Sequence, residues 1–236
     1  MKTIFHKASE RGHADHGWLN AYHSFSFAGY HDPSRVHFGL LRVLNDDTVA
    51  PGMGFGMHPH DNMEIVTIPL KGSLEHKDSM GNIGVIGPNE IQAMSAGSGV
   101  RHSEYNHSAT DPVNLLQIWV FPKVRNIEPR YDQKKYSLDD TAGIFKTIVS
   151  PDKADDVMWI NQDAYFSLGK FKAGQAVEYK IQHPGNGAYV FIIEGGASVD
   201  SESLSRRDAL GIWDVDQFEI SINTDAEILV IDVPMN

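Results

Sequence analysis

A chain of 236 residues, 41% hydrophobic and 22% charged, holds enough apolar material for one large domain or two modest ones, which excludes a disordered or fibrous protein. Its 31 acidic residues outnumber 20 basic ones, a formal charge of −11; that balance repels phosphate backbones and anionic lipid and argues against direct nucleic-acid binding. Cysteine is absent, so thiolate catalysis, disulfides, thiolate zinc sites and iron–sulfur clusters are excluded, and any metal must be held by nitrogen and oxygen.

The N-terminal stretch lacks an apolar segment of signal-peptide length and no later run approaches a membrane span, so the expectation is a cytoplasmic protein with no membrane partner. Eleven of the twelve histidines lie at or before His107, leaving only His183 beyond it. Any chemistry is therefore expected in the N-terminal half.

In chain order, the first clear strand is HFGLLRVLNDD, ending in a turn. GMGFGMHPHDNME follows, with His58 and His60 two residues apart. On a strand that spacing puts both imidazoles on one face, with Asn62 and Glu64 in the same parity. Pro59 favours extended backbone and biases His58 away from helix. MEIVTIPLKGSLEHKD reads as two strands around Lys71-Gly72, and the stretch from Ser79 to Gly84 as a turn-rich connector. In SAGSGVRHSEYNH, His102 and Glu104 repeat the two-residue spacing behind a glycine-rich turn, and NLLQIWVFP is an apolar strand stopped by Pro122.

The polar segment Pro122 to Gly143 is expected to cross between domains, and Pro151 to Asp156 to open a short helical turn. Beyond them YFSLGKF, AYVFIIEGG, FEISINT and EILVIDVP restore the β pattern. Short runs of β-branched and aromatic residues punctuated by Gly, Pro and Asn indicate barrels or sandwiches. The reading is two tandem all-β domains, residues 1–133 and 134–236. Ala188 to Asp200 loosely echoes Met63 to His76, each an apolar strand, a glycine turn and another strand.

If the strands carrying His58-x-His60 and His102-x-Glu104 are neighbours, three imidazoles and one carboxylate converge. Such a set suits Fe, Mn, Ni, Cu or Zn and leaves positions open for water or substrate. Spacing alone does not exclude Glu64 as the carboxylate. Met53, Phe55, Met57, Met63 and Met94 flank these motifs and read first as core packing, as do Trp18, Tyr22 and Phe25; a Met-rich wall would also adapt to a flat aromatic ligand.

The spacing around Gly52, His58-Pro59-His60, Glu64 and Gly72 resembles the first cupin motif, with one extra residue before the last glycine. Gly99, His102 and Asn106 resemble the second, with Gly97 in place of its usual proline. More narrowly, ERGHADHGWLNAYHSFSFAGYHDP, LRVLNDD, GFGMHPHDNMEI, HKDSMGN, MSAGSGVRHSEYN and QIWVFP resemble the pirin family, closest to bacterial pirin-like proteins with quercetin 2,3-dioxygenase activity. The resemblance implies an all-β bicupin of two stacked cupin-type β-barrels (double-stranded β-helix, or jelly-roll), with a metal in the N-terminal barrel only. It places the ligands on His58, His60, His102 and Glu104, with the carboxylate two residues past the third histidine taking the role that Glu64 would have in ordinary cupins. The C-terminal half cannot repeat that site and is expected to stack on the first barrel and cover an exposed sheet edge.

The implied cofactor is one divalent transition-metal ion per chain, iron first, with Cu, Ni, Mn, Co or Zn also suited. The implied reaction is opening of a flavonol heterocycle by O2 with release of carbon monoxide, Glu104 serving as the catalytic base. Two alternatives are a metal-binding regulatory protein with a protein partner, as in eukaryotic pirins, and a cupin enzyme acting on another phenolic substrate.

Overall fold

Strands account for nearly all regular structure in the computed structural model, which describes residues 1–137, 142–154 and 156–236. The first half contributes β1 (Lys2–His6), β2 (Gly12–Asp15), β3 (Leu19–His23), β4 (Leu41–Val49), β5 (Gly54–His60), β6 (Glu64–Lys71), β7 (Leu74–Asp78), β8 (Ile83–Ile86), β9 (Glu90–Ser95), β10 (Val100–Asn106), β11 (Val113–Val120) and β12 (Arg130–Lys135). The second contributes β13 (Lys146–Ser150), β14 (Met158–Trp159), β15 (Tyr165–Phe171), β16 (Ala176–Lys180), β17 (Asn186–Val199), β18 (Glu202–Ser205), β19 (Ala209–Trp213) and β20 (Gln217–Pro234). Among the described residues the only helical element is the 3-10 turn Ala8–Glu10.

The N-terminal half is a jelly roll of two sheets, a seven-stranded one in the order β12-β9-β6-β11-β4-β3-β2 and a four-stranded one in the order β5-β10-β7-β8. The C-terminal half is one nine-stranded sheet. Its outermost position on the β19 side is taken by β1, paired antiparallel from Lys2↔Trp213 to His6↔Ala209. The two halves are thus clasped by the chain's own N-terminus: the first half covers an edge of the second, the reverse of the expected direction.

Period-two alternation sorts side chains into three layers. On β6 and β11, Val66, Ile68, Leu116, Ile118 and Val120 join Tyr189, Phe191, Ile193, Leu229 and Ile231 of β17 and β20 in one apolar layer between the halves. Each such fully buried side chain contributes about 1.5–3 kcal/mol, so the stacking of the two cupins is a core and not a loose contact. The opposite faces of β17 and β20 turn Val190, Ile192, Ile228 and Val230 into a continuous apolar interior for the C-terminal half. The N-terminal interior is different. Its apolar residues form two separate groups, Leu19, Ala21, Val49, Leu74, Val113 and Leu115 on one side and Ile65, Met94, Ala96 and Val100 on the other. Polar side chains occupy the interior between them.

Several elements differ from the sequence expectation. FEISINT and EILVIDVP merge into the single strand β20, its polar middle carried by pairing to β16 and β17. Within the polar crossing, Arg130–Lys135 is a strand paired with β9, so position 134 falls inside a sheet; residues 138–141 lie outside the described residues. The segment from Pro151 to Ala154 is irregular, with the Asp152 amide bonded to Ser150 Oγ at 3.0 Å; Asp155 lies outside the described residues. The echo between halves is partial. Gly72, at φ 74°, turns the chain between β6 and β7, whereas Gly195, at φ 82°, only bends the continuous β17.

Candidate metal centre

Antiparallel pairing of β5 with β10 sets His58 opposite His102 and His60 opposite Val100. Between His102 and Glu104 the register shifts, so that Glu104 faces Phe55. A bulge of this kind re-aims side chains, and bulges recur beside active sites. Gly54 permits it, because a Cβ there would run into the Glu104 carbonyl oxygen. On its other edge β10 pairs with β7, with His102 beside Asp78 and Glu104 beside His76.

The three imidazoles of His58, His60 and His102 converge. Ring centroids are separated by 4.8 Å for His58–His60, 4.4 Å for His58–His102 and 4.9 Å for His60–His102. One ligand atom from each lies within 4.8 Å of the others, and His102 also belongs to a second such group with His76 and Glu104. His58 and His60 are half-buried, whereas His76, His102 and Glu104 are sealed.

His58 donates its Nδ1–H to the Gly56 carbonyl at 2.7 Å, which leaves Nε2 with a free lone pair. His76 donates Nε2–H to Asp78 at 3.3 Å, and its Nδ1 is buried without a partner. Both nitrogens of His102 are buried with no hydrogen-bond partner among the described residues. Unpartnered buried nitrogens are costly in an ordinary core, and these sit in a nitrogen-and-oxygen cluster of the kind that holds one transition-metal ion. Burial, reinforced by the neighbouring imidazoles, lowers His60 and His102 to about 3. Both are neutral at physiological pH, the form that ligates.

Glu104 is held from the seven-stranded sheet. Gln117 Nε2–H donates to its Oε2 at 2.9 Å, and Thr67 Oγ1–H donates to Gln117 Oε1 at 2.8 Å. Thr67 thereby fixes the amide orientation that presents a donor to the carboxylate. Burial raises the pKa of Glu104 above the usual value, opposed by His76 and Gln117; the group demands a proton or a nearby cation.

Glu64 goes elsewhere. β5 ends at His60 and Asn62 takes φ 45°, so the alternation breaks before Glu64. That residue enters β6 on the face of Val66 and Ile68, toward the second half, where its Oε2 accepts from Ser95 Oγ at 2.8 Å and the Asn161 amide at 3.1 Å. Asn62 is spent on Asn126, donating to its side chain at 3.0 Å. The shared parity expected for Asn62 and Glu64 with the histidines is therefore corrected by the turn between β5 and β6. Asn106, the polar end of the second motif, is a loop clamp that donates to the Val49 and Asp111 carbonyls at 3.0 and 2.8 Å.

A cavity of about 260 Å³ opens over the cluster, lined by Phe27, Asn45, Asp47, Phe55, Gln117 and Trp119 together with His58, His60 and Glu104. Trp119 meets His60 edge-on at 4.9 Å and Phe27 at 5.3 Å, while Phe55 is braced by Trp18 at 5.2 Å. Of the residues flanking the motifs, Phe55 lines the cavity; Met53 and Met57 face solvent, and Met63 and Met94 pack in the core. Trp18 and Phe25 are packing residues, as expected.

Sequence reasoning missed Phe27, Asn45, Asp47, His76, Gln117 and Trp119. The legible signal was alternation: Asn45 and Asp47 in LRVLNDD, and Gln117 in NLLQIWVFP, are polar residues two apart from inward apolar ones.

Two stacked cupins, one with an apolar interior and one with a histidine–carboxylate cluster beneath an aromatic-walled cavity, define a bicupin with a transition-metal type of centre in its first half. The chain belongs to the pirin family. The Pirin family model matches residues 4–120, and that of the quercetinase C-terminal cupin domain matches residues 147–233. The quercetin 2,3-dioxygenase of Escherichia coli (strain K12) is 41% identical over 229 residues, covering 97% of each chain. The crystal structure of the bacterial pirin YhhW from Escherichia coli in complex with nickel(II) has 39% identity and a TM-score of 0.93, covering 99% of each chain. A quercetin 2,3-dioxygenase from Acinetobacter baumannii shares the fold at 22% identity and a TM-score of 0.79, over 100% of this chain and 87% of that one. Among the described residues no helix is long and apolar enough to cross a membrane.

Proposed function

We propose that the protein is a metal-dependent dioxygenase that opens the heterocycle of a flavonol such as quercetin with O2 and releases carbon monoxide. The observation that carries the reading is the convergence of the His58, His60 and His102 imidazoles, with His102 also grouped with His76 and the sealed Glu104, beside a cavity walled by Phe27, Phe55 and Trp119. The quercetin 2,3-dioxygenase relatives, which align over nearly the whole chain, support it.

His58, His60, His102 and Glu104 are assigned as the ligands of one divalent ion, iron in the first place. When bound, the ion would supply Lewis acidity that makes the flavonol 3-hydroxyl more acidic. The protein's own groups do the rest. Phe27, Phe55 and Trp119 provide faces and edges for a flat aromatic substrate. Glu104 accepts the 3-hydroxyl proton at a carboxylate oxygen, while Gln117 holds Oε2 in place. The two apolar clusters flanking the site exclude bulk water and strengthen each electrostatic contact within it.

The N-terminal cupin, whose sheet runs through Lys135 of β12, is assigned the site and the C-terminal cupin the role of structural base, in a protein read as cytoplasmic. The test is turnover of quercetin by metal-stripped protein and by protein reloaded with Fe(II), Ni(II), Cu(II), Mn(II), Co(II) or Zn(II). Loss of flavonol absorbance only in reloaded samples supports the reading. Inertness with every ion bound at full occupancy would transfer the protein to the regulatory class.

A further inference from the structure

Asp47 lies mid-strand in β4, between Ala21 of β3 and Leu115 of β11, on the face that lines the cavity. It is 5% exposed, and its Oδ1 is buried with no hydrogen-bond partner among the described residues. Among the described residues the other buried carboxylates each accept from at least one donor, although Oε1 of Glu64 is likewise unpartnered. Asp46, on the opposite face of the same strand, pairs with Arg207 at 2.9 Å and accepts from Asn114 at 2.8 Å; Asp232 accepts from Asn186 at 2.6 Å and the Gln182 amide at 2.8 Å. A buried carboxyl left without donors destabilises a fold, and such groups persist where a ligand completes them.

Asn45 stands two residues earlier on the same face, its Oδ1 accepting Nδ1–H of His23 at 2.9 Å. That bond fixes the amide flip and leaves Nδ2 as a donor on the cavity wall that Asn45 shares with Asp47. The cavity therefore has one end of neutral imidazoles and Glu104, aromatic walls, and a second polar group made of an acceptor-rich carboxyl and an amide donor. Phenolic hydroxyls on a flat ring match that pair.

We propose that Asp47, oriented beside Asn45, is the specificity-determining residue of the pocket, accepting hydrogen bonds from ring hydroxyls of the flavonol and selecting polyhydroxylated flavonols over bare ones. The inference rests on the flavonol reading and adds to it which substituents are recognised. A site built to bond a hydroxyl rejects the analogue that lacks it, because the site's own polar group is then left buried and unpaired.

The experiment is anaerobic titration of the metal-loaded protein with quercetin and with 3-hydroxyflavone, followed by tryptophan fluorescence quenching, for wild type, Asp47→Asn and Asp47→Leu. Thermal midpoints and aerobic turnover are measured alongside. The expected wild-type preference for quercetin is at least about tenfold. In Asp47→Leu the ratio should collapse toward one while the thermal midpoint holds or rises, since an unpartnered buried carboxyl has been removed. Asp47→Asn, nearly isosteric, should give an intermediate ratio.

An unchanged ratio in both variants overturns the proposal, as does a parallel loss for both ligands with a fallen midpoint, which would make Asp47 a packing residue. A wild type that binds neither flavonol overturns it together with the dioxygenase reading. If wild type discriminates but consumes no quercetin when aerated, the dioxygenase reading alone fails. If all three proteins consume both flavonols at equal rates without discrimination, the dioxygenase stands and the role of Asp47 falls.

Discussion

Glu64→Gln separates the carboxylate that packs between the halves from the one that faces the cavity. Burial pushes the Glu64 carboxyl up to about 7 from an ordinary 4.5, against the opposing pull of Asn161, Ser95 and Arg130. A carboxyl that is harder to ionise in the folded state than in the unfolded one lowers stability once the unfolded chain can ionise. Below about pH 4.5 both states hold the proton and there is no penalty. Between pH 4.5 and 7 the penalty grows, and above 7 it is constant at roughly 3–4 kcal/mol, from a shift of about two and a half units at ~1.4 kcal/mol each. Glutamine removes the charge and keeps both contacts, since its carbonyl oxygen takes the place of Oε2 and accepts from both the Asn161 amide and Ser95 Oγ, while its NH2 takes the place of the unpartnered Oε1. The variant should match wild type near pH 4.5 and exceed it by up to about 3–4 kcal/mol at pH 8. Urea unfolding at half-unit steps across that range measures the difference, with metal content and quercetin turnover taken in parallel and expected to be unchanged. A variant that is less stable at pH 8, or that loses its metal, would refute the assignment and return Glu64 to the ligand set.

Alanine at His58, His60 or His102 should each lower metal occupancy sharply while circular dichroism stays near wild type, because the apolar layers and not the ion hold the fold; full occupancy in all three would make these histidines packing residues. Glu104→Gln should weaken metal affinity only moderately but reduce turnover by about 10²–10⁴-fold, read from steady-state rates on fully loaded protein. Arg207→Met removes the 2.9 Å partner of buried Asp46 between the halves and should cost about 3 kcal/mol in urea unfolding, with metal content unaltered. A neutral effect would show that Arg11 and Asn114 suffice to hold Asp46.

The pairing of His58-x-His60 with His102-x-Glu104 was legible because two-residue spacing survives in any extended strand, and the motifs supplied the partner strand. The placement of Glu64 was not legible by counting: one left-handed residue, Asn62, resets parity, and nothing local announces it. Likewise the bulge at His102/Glu104 is visible only once β5 and β10 are paired. The β pattern was clear in apolar runs such as NLLQIWVFP but hidden in RYDQKK, which is a strand because β9 offers it an edge. His76 was hidden because its role depends on lying beside Glu104 across β7 and β10, a contact between distant segments. The division of labour between halves, by contrast, could be read directly from the histidine count, and its physical form is an apolar interior in one cupin where the other is polar.

The most direct test of the account is the stoichiometry of a single aeration experiment. Protein purified without chelator is assayed for metal, mixed anaerobically with quercetin and then exposed to O2, while flavonol absorbance and carbon monoxide are followed together. The account requires one metal ion per chain, lost in His102→Ala, and one carbon monoxide released for each quercetin consumed. Two specific ions per chain, an ion retained near His183, or quercetin loss without carbon monoxide would contradict it.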